Sequence, residues 1–348
     1  MRRVLFASVR PSAGKTGVLV GVARALGESA GYLKPLGDRL LYRRKRLWDL
    51  DASAVTKALG MEADPEAMTI GFDPSKLHYM YDAAATAERL SDLAARAGAG
   101  VDILFAEGGR DLLYGASVHL DALTVAEQLD AELVLVASGD GESIMDDVTF
   151  FSRRVNTGDV RIKGLIANRL PDGDEFRTTH ARTLDQMEVR LLGAIPYEAS
   201  LERLSVGYLA EHLFAKVIAG EQGLDQTVGT VVVGAMSAHE VLRLPAFRPS
   251  NKLVITSGDR SDMILAALES GCVGIVLSND IVPPPNILSR ASVENVPLLL
   301  APQDTFKVAE RVDAAEPLLT GDDPKTVDAW QRLAETHVDI DAFRPSAG

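Results

Sequence analysis

Short apolar runs alternate with amphipathic stretches along the first 220 residues of the chain. The spacing of apolar residues within 83–97 and 123–129 predicts helices. The uninterrupted apolar runs predict buried strands at 4–7, 31–34, 103–106, 133–137, 162–167 and 191–194. Strands that alternate with helices are typical of a parallel sheet covered by helices. We therefore predict an α/β domain over residues 1–220.

The same alternation restarts after a polar, glycine-containing stretch at residues 221–226, the kind of sequence in which domain junctions fall. Helices are predicted at 263–268 and 305–312, and strands at 228–233, 253–256, 273–277 and 297–300. These elements predict a second, smaller α/β domain over residues 226–320. Residues 321–348 are expected to form a C-terminal helix, at 324–335, and a tail.

The composition is acidic, with 49 Asp and Glu against 36 Lys and Arg and a formal net charge of −13. Such a balance argues against an extended nucleic-acid surface. No apolar run approaches the about 20 residues of a membrane span, and no secretory signal precedes the first predicted strand. We therefore expect a cytoplasmic protein that binds neither nucleic acid nor membrane. The single cysteine, Cys272, lies among apolar residues and is interpreted as a buried structural thiol.

The turn after the first predicted strand carries Gly14-Lys15-Thr16 and leads into a helical pattern. This arrangement is that of a phosphate-binding loop, in which backbone N–H groups and the helix N-terminus face the phosphates. Lys15 would supply a positive charge, and Thr16 a hydroxyl for Mg²⁺. Val9 stands where this motif usually has its first glycine, so the match is partial. The residues predicted to bind the nucleotide are Ser12, Ala13, Gly14, Lys15, Thr16 and Gly17.

Polar residues also end other predicted strands, at the edge where parallel sheets bind ligands. Lys34 is placed to reach the phosphates or an anionic substrate, and Glu107 to bind Mg²⁺ or position a nucleophile. Asn168, which could read an adenine edge, and Pro196 are assigned to the nucleotide site. The predicted catalytic residues are Lys15, Lys34 and Glu107, and the predicted Mg²⁺ ligands are Thr16, Asp51 and Glu107, with Asp49 as a further candidate.

A basic run precedes the two candidate aspartates and comprises Arg39, Arg43, Arg44, Lys45 and Arg46. The run could face a second anionic ligand, which would favour an enzyme. It could instead be a solvated charged face, which is the commoner role of such a sequence and would favour a sensor. The sequence leaves both interpretations open.

These motifs, in their order, resemble dethiobiotin synthetase over residues 1–215. The matching segments are Gly14-Lys15-Thr16, Lys34-Pro35, Asp49/Asp51, Glu107-Gly108-Gly109, Gly164-Leu165-Ile166-Ala167-Asn168 and Leu192-Gly193-Ala194-Ile195-Pro196. The second domain resembles the DRTGG domain through residues 233–237, 254–262, 271–275 and 304–306. The pair is similar to the N-terminal half of long bacterial phosphotransacetylases. Their acetyl-transfer domain is not expected here, because the sequence stops at Gly348.

The resemblance implies a P-loop NTPase-type fold, ATP and Mg²⁺ as cofactors, and a regulatory role. Our first hypothesis is therefore a sensor that binds ATP–Mg²⁺, hydrolyses it slowly at most and has no acetyltransferase activity. The alternative is an ATP-dependent enzyme that activates a carboxylate, as dethiobiotin synthetase does. A third is a scaffold with an inactive nucleotide site.

The second domain is expected to be the interaction module of a homo-oligomer. Asp259-Arg260 follows one of its predicted strands and could hold an anionic small-molecule effector. The same pair could instead form an ordinary ion pair at the start of the next helix.

Overall fold

The computed structural model describes residues 1–43, 46–202, 204–315, 319 and 323–345. These residues group into two units, each with its own sheet. The first unit combines residues 1–198 with residues from 319 onward, and the second contains residues 199–318. The second unit is therefore an insertion in the sequence of the first.

The strands of the first unit are β1 (Arg2–Ala7), β2 (Ala30–Leu33), β3 (Leu40–Arg43), β4 (Arg46–Asp49), β5 (Ile103–Glu107), β6 (Glu132–Ser138), β7 (Ile162–Leu170) and β8 (Leu191–Pro196). Strands β3 and β4 form an antiparallel hairpin. The others form a six-stranded parallel sheet in the order β2-β5-β1-β6-β7-β8. Strand β1 thus lies inside the sheet, and the loop after it opens at the middle of the carboxyl edge.

The helices before residue 199 are α1 (Lys15–Leu26), α2 (Leu50–Ala58), α3 (Pro74–Met80), α4 (Ala83–Ala97), α5 (Ala122–Gln128), α6 (Gly141–Arg154) and α7 (Gly173–Gln186). An aspartate caps the N-terminus of α2, α4, α5, α6 and α7, where its carboxylate accepts a backbone N–H. Helix α1 differs, because Gly14 precedes it and no side chain caps it. Its first N–H groups are therefore open to another acceptor.

Both faces of this sheet are buried. Leu5 and Leu135 point into a core shared with Leu90 of α4 and Val125 of α5. Phe6 lies on the other face, where its ring centroid is 6.0 Å from that of a second buried phenylalanine in β5. Strands buried on both sides read as continuous apolar runs, which explains why the sequence predicted them well.

The second unit contains β9 (Leu204–Ser205), β10 (Lys216–Ala219), β11 (Thr227–Val228), β12 (Thr230–Val233), β13 (Lys252–Ser257), β14 (Gly274–Ser278) and β15 (Leu298–Leu300). Its helices are α8 (Val206–His212), α9 (Ala238–Val241), α10 (Ser261–Glu269), α11 (Pro285–Val293) and α12 (Thr305–Asp313). The sheet has the order β10-β15-β14-β13-β12, and only β10 runs antiparallel to its neighbour. Cys272 is buried here without a disulfide, and burial raises the pKa of its thiol to about 12.

After the insertion, the chain returns to the first unit as α13 (Pro324–His337), which packs along α1. Val338 then forms an antiparallel bridge with Gly193 of β8. Phe343 stacks on Phe6, with 6.3 Å between the ring centroids and 5° between the planes. Both ends of the chain therefore contribute to the core of one unit.

The predicted fold class is confirmed: a parallel sheet with covering helices and a second, smaller α/β unit. The structure places the division between the units at a different position from the polar stretch at 221–226. That stretch lies within the second unit, whose sheet already includes β10. Within the described part of the chain, no helix has both the length and the apolar character to span a membrane.

Candidate functional site

The loop between β1 and α1 turns sharply at its end. Gly14 has φ of 83° and lies in the left-handed region that favours glycine, and its carbonyl accepts the N–H of Val18. Ser12 also has a positive φ, of 61°. A Cβ at Gly14 would overlap the amide of Asn168. The turn thus needs a glycine here, and it presents the uncapped N-terminus of α1 at the sheet edge.

Lys15 begins α1, and its side chain turns back under the loop. The ammonium donates hydrogen bonds to Ser8 Oγ at 2.8 Å and to the carbonyl of Arg110 at 3.2 Å. Burial lowers the pKa of this lysine, while the nearby Glu107 carboxylate raises it. Its present acceptors are uncharged, so an anion reaching the loop would be a stronger partner.

Glu107 ends β5, directly opposite Phe6 in the neighbouring β1. Its two carboxylate oxygens are engaged separately. Oε1 accepts the Thr16 hydroxyl at 2.8 Å, and Oε2 accepts the Tyr32 hydroxyl at 2.9 Å. Burial raises the pKa of Glu107 to about 7, and the charge of Asp51 adds to the rise. The parallel register therefore joins an acid from β5 to a hydroxyl from the phosphate loop.

Lys34 follows β2 and is enclosed by carboxylates. Its ammonium donates to Asp38 at 2.6 Å and to Asp51, and it lies 3.5 Å from Asp49. Burial lowers the pKa of Lys34, but Asp51 and the other nearby carboxylates outweigh burial and hold it well above its usual value. The lysine is thus held as a buried cation in an acidic setting.

The two aspartates predicted to be near the metal have different environments. Asp49 caps α2 by accepting the N–H of Ala52 at 3.0 Å, and burial raises its pKa to about 6. Burial also acts to raise the pKa of Asp51, but Lys34 and then Arg39 hold it below its usual value. Together with Asp38, they offer three carboxylate oxygens within 4.8 Å of one another, around the Lys34 ammonium.

Two residues at the end of β7 hold the phosphate loop from the side. Asn168 is only 1% exposed, and its side-chain amide donates to the carbonyl of Ala13 at 3.0 Å. Arg169 Nη1 donates to the carbonyl of Ser12 at 2.8 Å. Asn168 was predicted to contact the nucleotide, and in this structure its amide nitrogen binds the loop itself.

The structure gathers most of the predicted site residues at the carboxyl edge around β1. Pro196 lies apart, at the end of the edge strand β8, in register with Leu170. Within the basic run, Arg44 and Lys45 lie outside the described residues. Arg39 is described, and its Nη1 lies 3.8 Å from an Asp51 oxygen.

Among the described residues of this region, sequence reasoning missed Ser8, Tyr32, Asp38, Arg169 and Trp330. The first four had a signal, since each lies in or beside a segment that was already assigned to the site. Trp330 of α13 packs against Gly17 of α1 and had no local signal.

In the second unit, Arg260 precedes α10 and faces Asp262. The two side chains make paired contacts of 3.0 Å and 3.1 Å, and the guanidinium also donates to the carbonyl of Met236 at 2.9 Å. The hydrogen bonds that Arg260 donates to the Asp262 carboxylate raise the pKa of Arg260. This geometry is the ordinary ion pair at a helix start, formed with Asp262 rather than with Asp259.

Comparison with known proteins gives two family matches. The AAA domain model matches residues 2–205, and the DRTGG domain model matches residues 208–315. The phosphate acetyltransferase of Synechocystis sp. is 28% identical over 239 residues, which are 64% of this chain and 34% of the relative. That of Nitrosomonas europaea is 23% identical over 354 residues, or 93% of this chain and 49% of the relative. The chain thus spans half the length of these curated relatives or less.

Among solved structures, the CBS and DRTGG domains of the regulatory region of Clostridium perfringens pyrophosphatase, complexed with diadenosine tetraphosphate, align with 20% identity. The TM-score is 0.30, and the alignment covers 45% of this chain and 70% of that one.

The predicted resemblance to phosphotransacetylases and the order of the two domains are confirmed, while the closer resemblance to dethiobiotin synthetase stays a prediction. Over residues 2–205 the chain belongs to the AAA domain family, and a DRTGG domain follows at residues 208–315.

Proposed function

We propose that this chain binds ATP–Mg²⁺ at its phosphate loop and acts as a regulatory or sensor protein. It would hydrolyse the nucleotide slowly at most and carry out no acetyl transfer of its own. One observation carries the proposal. Lys15, Thr16 and Glu107 meet at the uncapped N-terminus of α1, at the carboxyl edge of a parallel sheet.

The phosphates would bind where α1 begins. Gly14, the residue before this helix, provides no capping side chain for its first N–H groups, and helix N-termini attract anions. Lys15 already lies against the loop, bonded to Ser8 Oγ and a carbonyl oxygen. Exchanging those neutral acceptors for phosphate oxygens would make the bonds charge-assisted and stronger.

The magnesium ion would bind beside Thr16. The Thr16 hydroxyl and the Glu107 carboxylate lie 2.8 Å apart, and both are oxygen ligands of the type that Mg²⁺ prefers. Asp51 would complete the set only by leaving Lys34, with which it is now paired. When bound, the metal would neutralise charge on the phosphates.

The alternative, ATP-dependent activation of a carboxylate, needs a lysine that can steady a transferred phosphoryl group. Lys34 was predicted for that role, but its ammonium is bonded to Asp38 and Asp51. Releasing it would leave buried carboxylates without their cation, which is costly. This enclosure favours the sensor over the ligase.

Lys15→Ala is expected to weaken ATP–Mg²⁺ binding by about 10- to 150-fold, because it removes a charge-assisted phosphate contact of about 1.5–3 kcal/mol. Calorimetric titration of the full chain measures the effect. Lys163→Ala is the matched control, since Lys163 is near the start of β7 and therefore lies at the amino ends of the strands, away from the phosphate loop at their carboxyl ends. Equal affinity of wild type and Lys15→Ala would contradict the proposal.

The second unit is proposed to mediate self-association and to receive an anionic effector. Strand β12 lies at the edge of its sheet, and Val231 and Val233 on this strand are each 41% exposed. Exposed edge strands with apolar residues pair readily with another chain. Light scattering of the full chain is expected to give the mass of an oligomer, which Val231→Lys combined with Val233→Lys reduces. A wild-type chain that is monomeric at micromolar concentration would contradict this part.

A further inference from the structure

Trp330 of α13 covers the first turn of α1. The residue is only 8% exposed. A Cβ at Gly17 would overlap the indole ring and lie 2.8 Å from its Nε1, and one at Gly14 would lie 4.0 Å from its Cη2. The indole therefore fills the space that a side chain at Gly17 would otherwise take, and it lies within ordinary contact distance of the position that a Cβ at Gly14 would occupy.

The rest of α13 is also fixed against α1. One turn further along α1, a Cβ at Gly21 would lie 2.5 Å from the backbone carbonyl oxygen of Trp330. Arg24 Nε donates to Gln331 at 3.1 Å, and Arg24 Nη2 forms an ion pair with Asp328 at 3.6 Å. Glycines at positions 17 and 21 allow the two helix backbones to approach this closely. The packing is thus continuous from the phosphate loop to the end of α1.

The chain beyond α13 is anchored too. The N–H of Asp339 donates to the carbonyl of Leu192 in β8 at 2.7 Å, and Arg177 of α7 donates to the carbonyl of His337 at 2.6 Å. The end of α13 therefore cannot shift without breaking contacts to the sheet edge. Helix α13, which carries Trp330, is thus held by α1 along its length and by α7 and β8 at its end.

We propose that Trp330 is a positioning residue of the nucleotide site. Gly14 and Gly17 flank Lys15 and Thr16, so the indole supports the backbone turn whose N–H groups and side chains would face the phosphates. A turn held in its binding geometry loses less entropy when the ligand arrives. This inference rests on the proposed function in taking ATP as the ligand of the loop.

Alanine substitutions at Gly17 and Gly21 test the contact between Trp330 and α1 without any ligand. Gly17→Ala is expected to lower the melting temperature in wild type and to lower it much less in a Trp330→Ala background, because the clash is with the indole. Gly21→Ala is the matched control. It clashes with the backbone oxygen of residue 330, so its cost should be the same in both backgrounds. An equal cost of Gly17→Ala in both backgrounds would overturn the inference.

Nucleotide titrations test the positioning role. Trp330→Ala is expected to weaken ATP–Mg²⁺ binding by about tenfold, and Trp330→Phe to restore most of it, since a ring still supports the turn. The chain has two tryptophans, so Trp48→Phe leaves Trp330 as the only indole fluorophore. Its emission should change on titration with ATP–Mg²⁺, at the midpoint given by calorimetry.

The outcomes are distinct. If wild type binds ATP and Trp330→Ala binds it equally well, or if the emission does not respond, the positioning role is wrong and the proposed function stands. If wild type binds no ATP, both are contradicted. Should Trp330→Ala fail to fold, Trp330→Leu takes its place, because leucine also removes the ring but keeps an apolar side chain. ATP–Mg²⁺ binding by Trp330→Leu equal to that of wild type would overturn the positioning role.

Discussion

Replacing Lys34 with methionine is expected to lower the free energy of unfolding by about 3–5 kcal/mol near neutral pH. The lysine ammonium is buried and bonded to Asp38 and Asp51, with Asp49 at 3.5 Å. Methionine keeps the length of the side chain but removes the charge. Up to three carboxylates would then share a buried space without their cation, and mutual repulsion and desolvation would both disfavour the folded state.

Urea unfolding at several pH values measures this effect. In wild type, Lys34 holds the pKa of Asp51 low, so this pairing stabilises the fold above the usual pKa of an aspartate and is lost as the pH falls. In Lys34→Met the buried carboxylates can take up protons instead. The difference in the free energy of unfolding between wild type and Lys34→Met should therefore become smaller as the pH falls towards about 5. Lys163→Met, which disrupts a partly exposed pair with Glu132, is the control and should cost far less. A Lys34→Met protein as stable as wild type would show that the cluster tolerates an uncompensated charge.

Glu107→Gln is expected to stabilise the ligand-free protein at alkaline pH, by up to about 3 kcal/mol. Burial raises the pKa of Glu107 from 4.5 to about 7, so the folded state binds this proton more tightly than the unfolded state does. Wild type therefore loses stability as the pH rises from about 4.5 through about 7. Glutamine carries no charge. It can still accept from the Tyr32 hydroxyl and donate to Thr16, so the hydrogen bonds are retained.

Thermal melts between about pH 5 and 8.5 should show the gain of Glu107→Gln growing with pH. Glu127→Gln, on the exposed side of α5, is the matched control and should leave the curve unchanged. Glu107→Gln should also weaken the Mg²⁺-dependent part of ATP binding, since glutamine is a poorer magnesium ligand than glutamate. If the stabilities of wild type and Glu107→Gln changed in parallel with pH, ionisation of Glu107 would not destabilise the folded state, and the prediction would be wrong.

Much of the candidate site at the carboxyl edge of the parallel sheet was predictable from sequence, because its residues lie at or directly after the ends of buried strands. Glu107 ends an apolar run, and the parallel register brings it to Thr16. The enclosure of Lys34 was not predictable. It depends on the β3–β4 hairpin, which returns the chain so that Asp49 and Asp51 meet a lysine from an earlier strand. No periodicity in the sequence encodes that return.

The extent of the first unit was also beyond local reasoning. Residues 324–335 were predicted as a separate tail helix, and the structure packs α13 onto α1. A signal existed in Gly17 and Gly21, since two glycines one turn apart on a helix mark a close approach by another backbone. The signal does not say which segment approaches. Trp330 is far away in sequence, so only the three-dimensional structure could identify it.

The return of α13 to the first unit has a consequence for how the protein is made. During translation, residues 1–198 emerge from the ribosome before α13, the helix that covers α1, has been synthesised. The inserted unit, by contrast, is one continuous stretch whose sheet can close as soon as it emerges. Until residues 324–343 appear, Gly17, Gly21 and the ring of Phe6 lack the partners that bury them in the finished fold. The first unit, although most of it is encoded before the inserted unit, is therefore completed only after the inserted unit has been made.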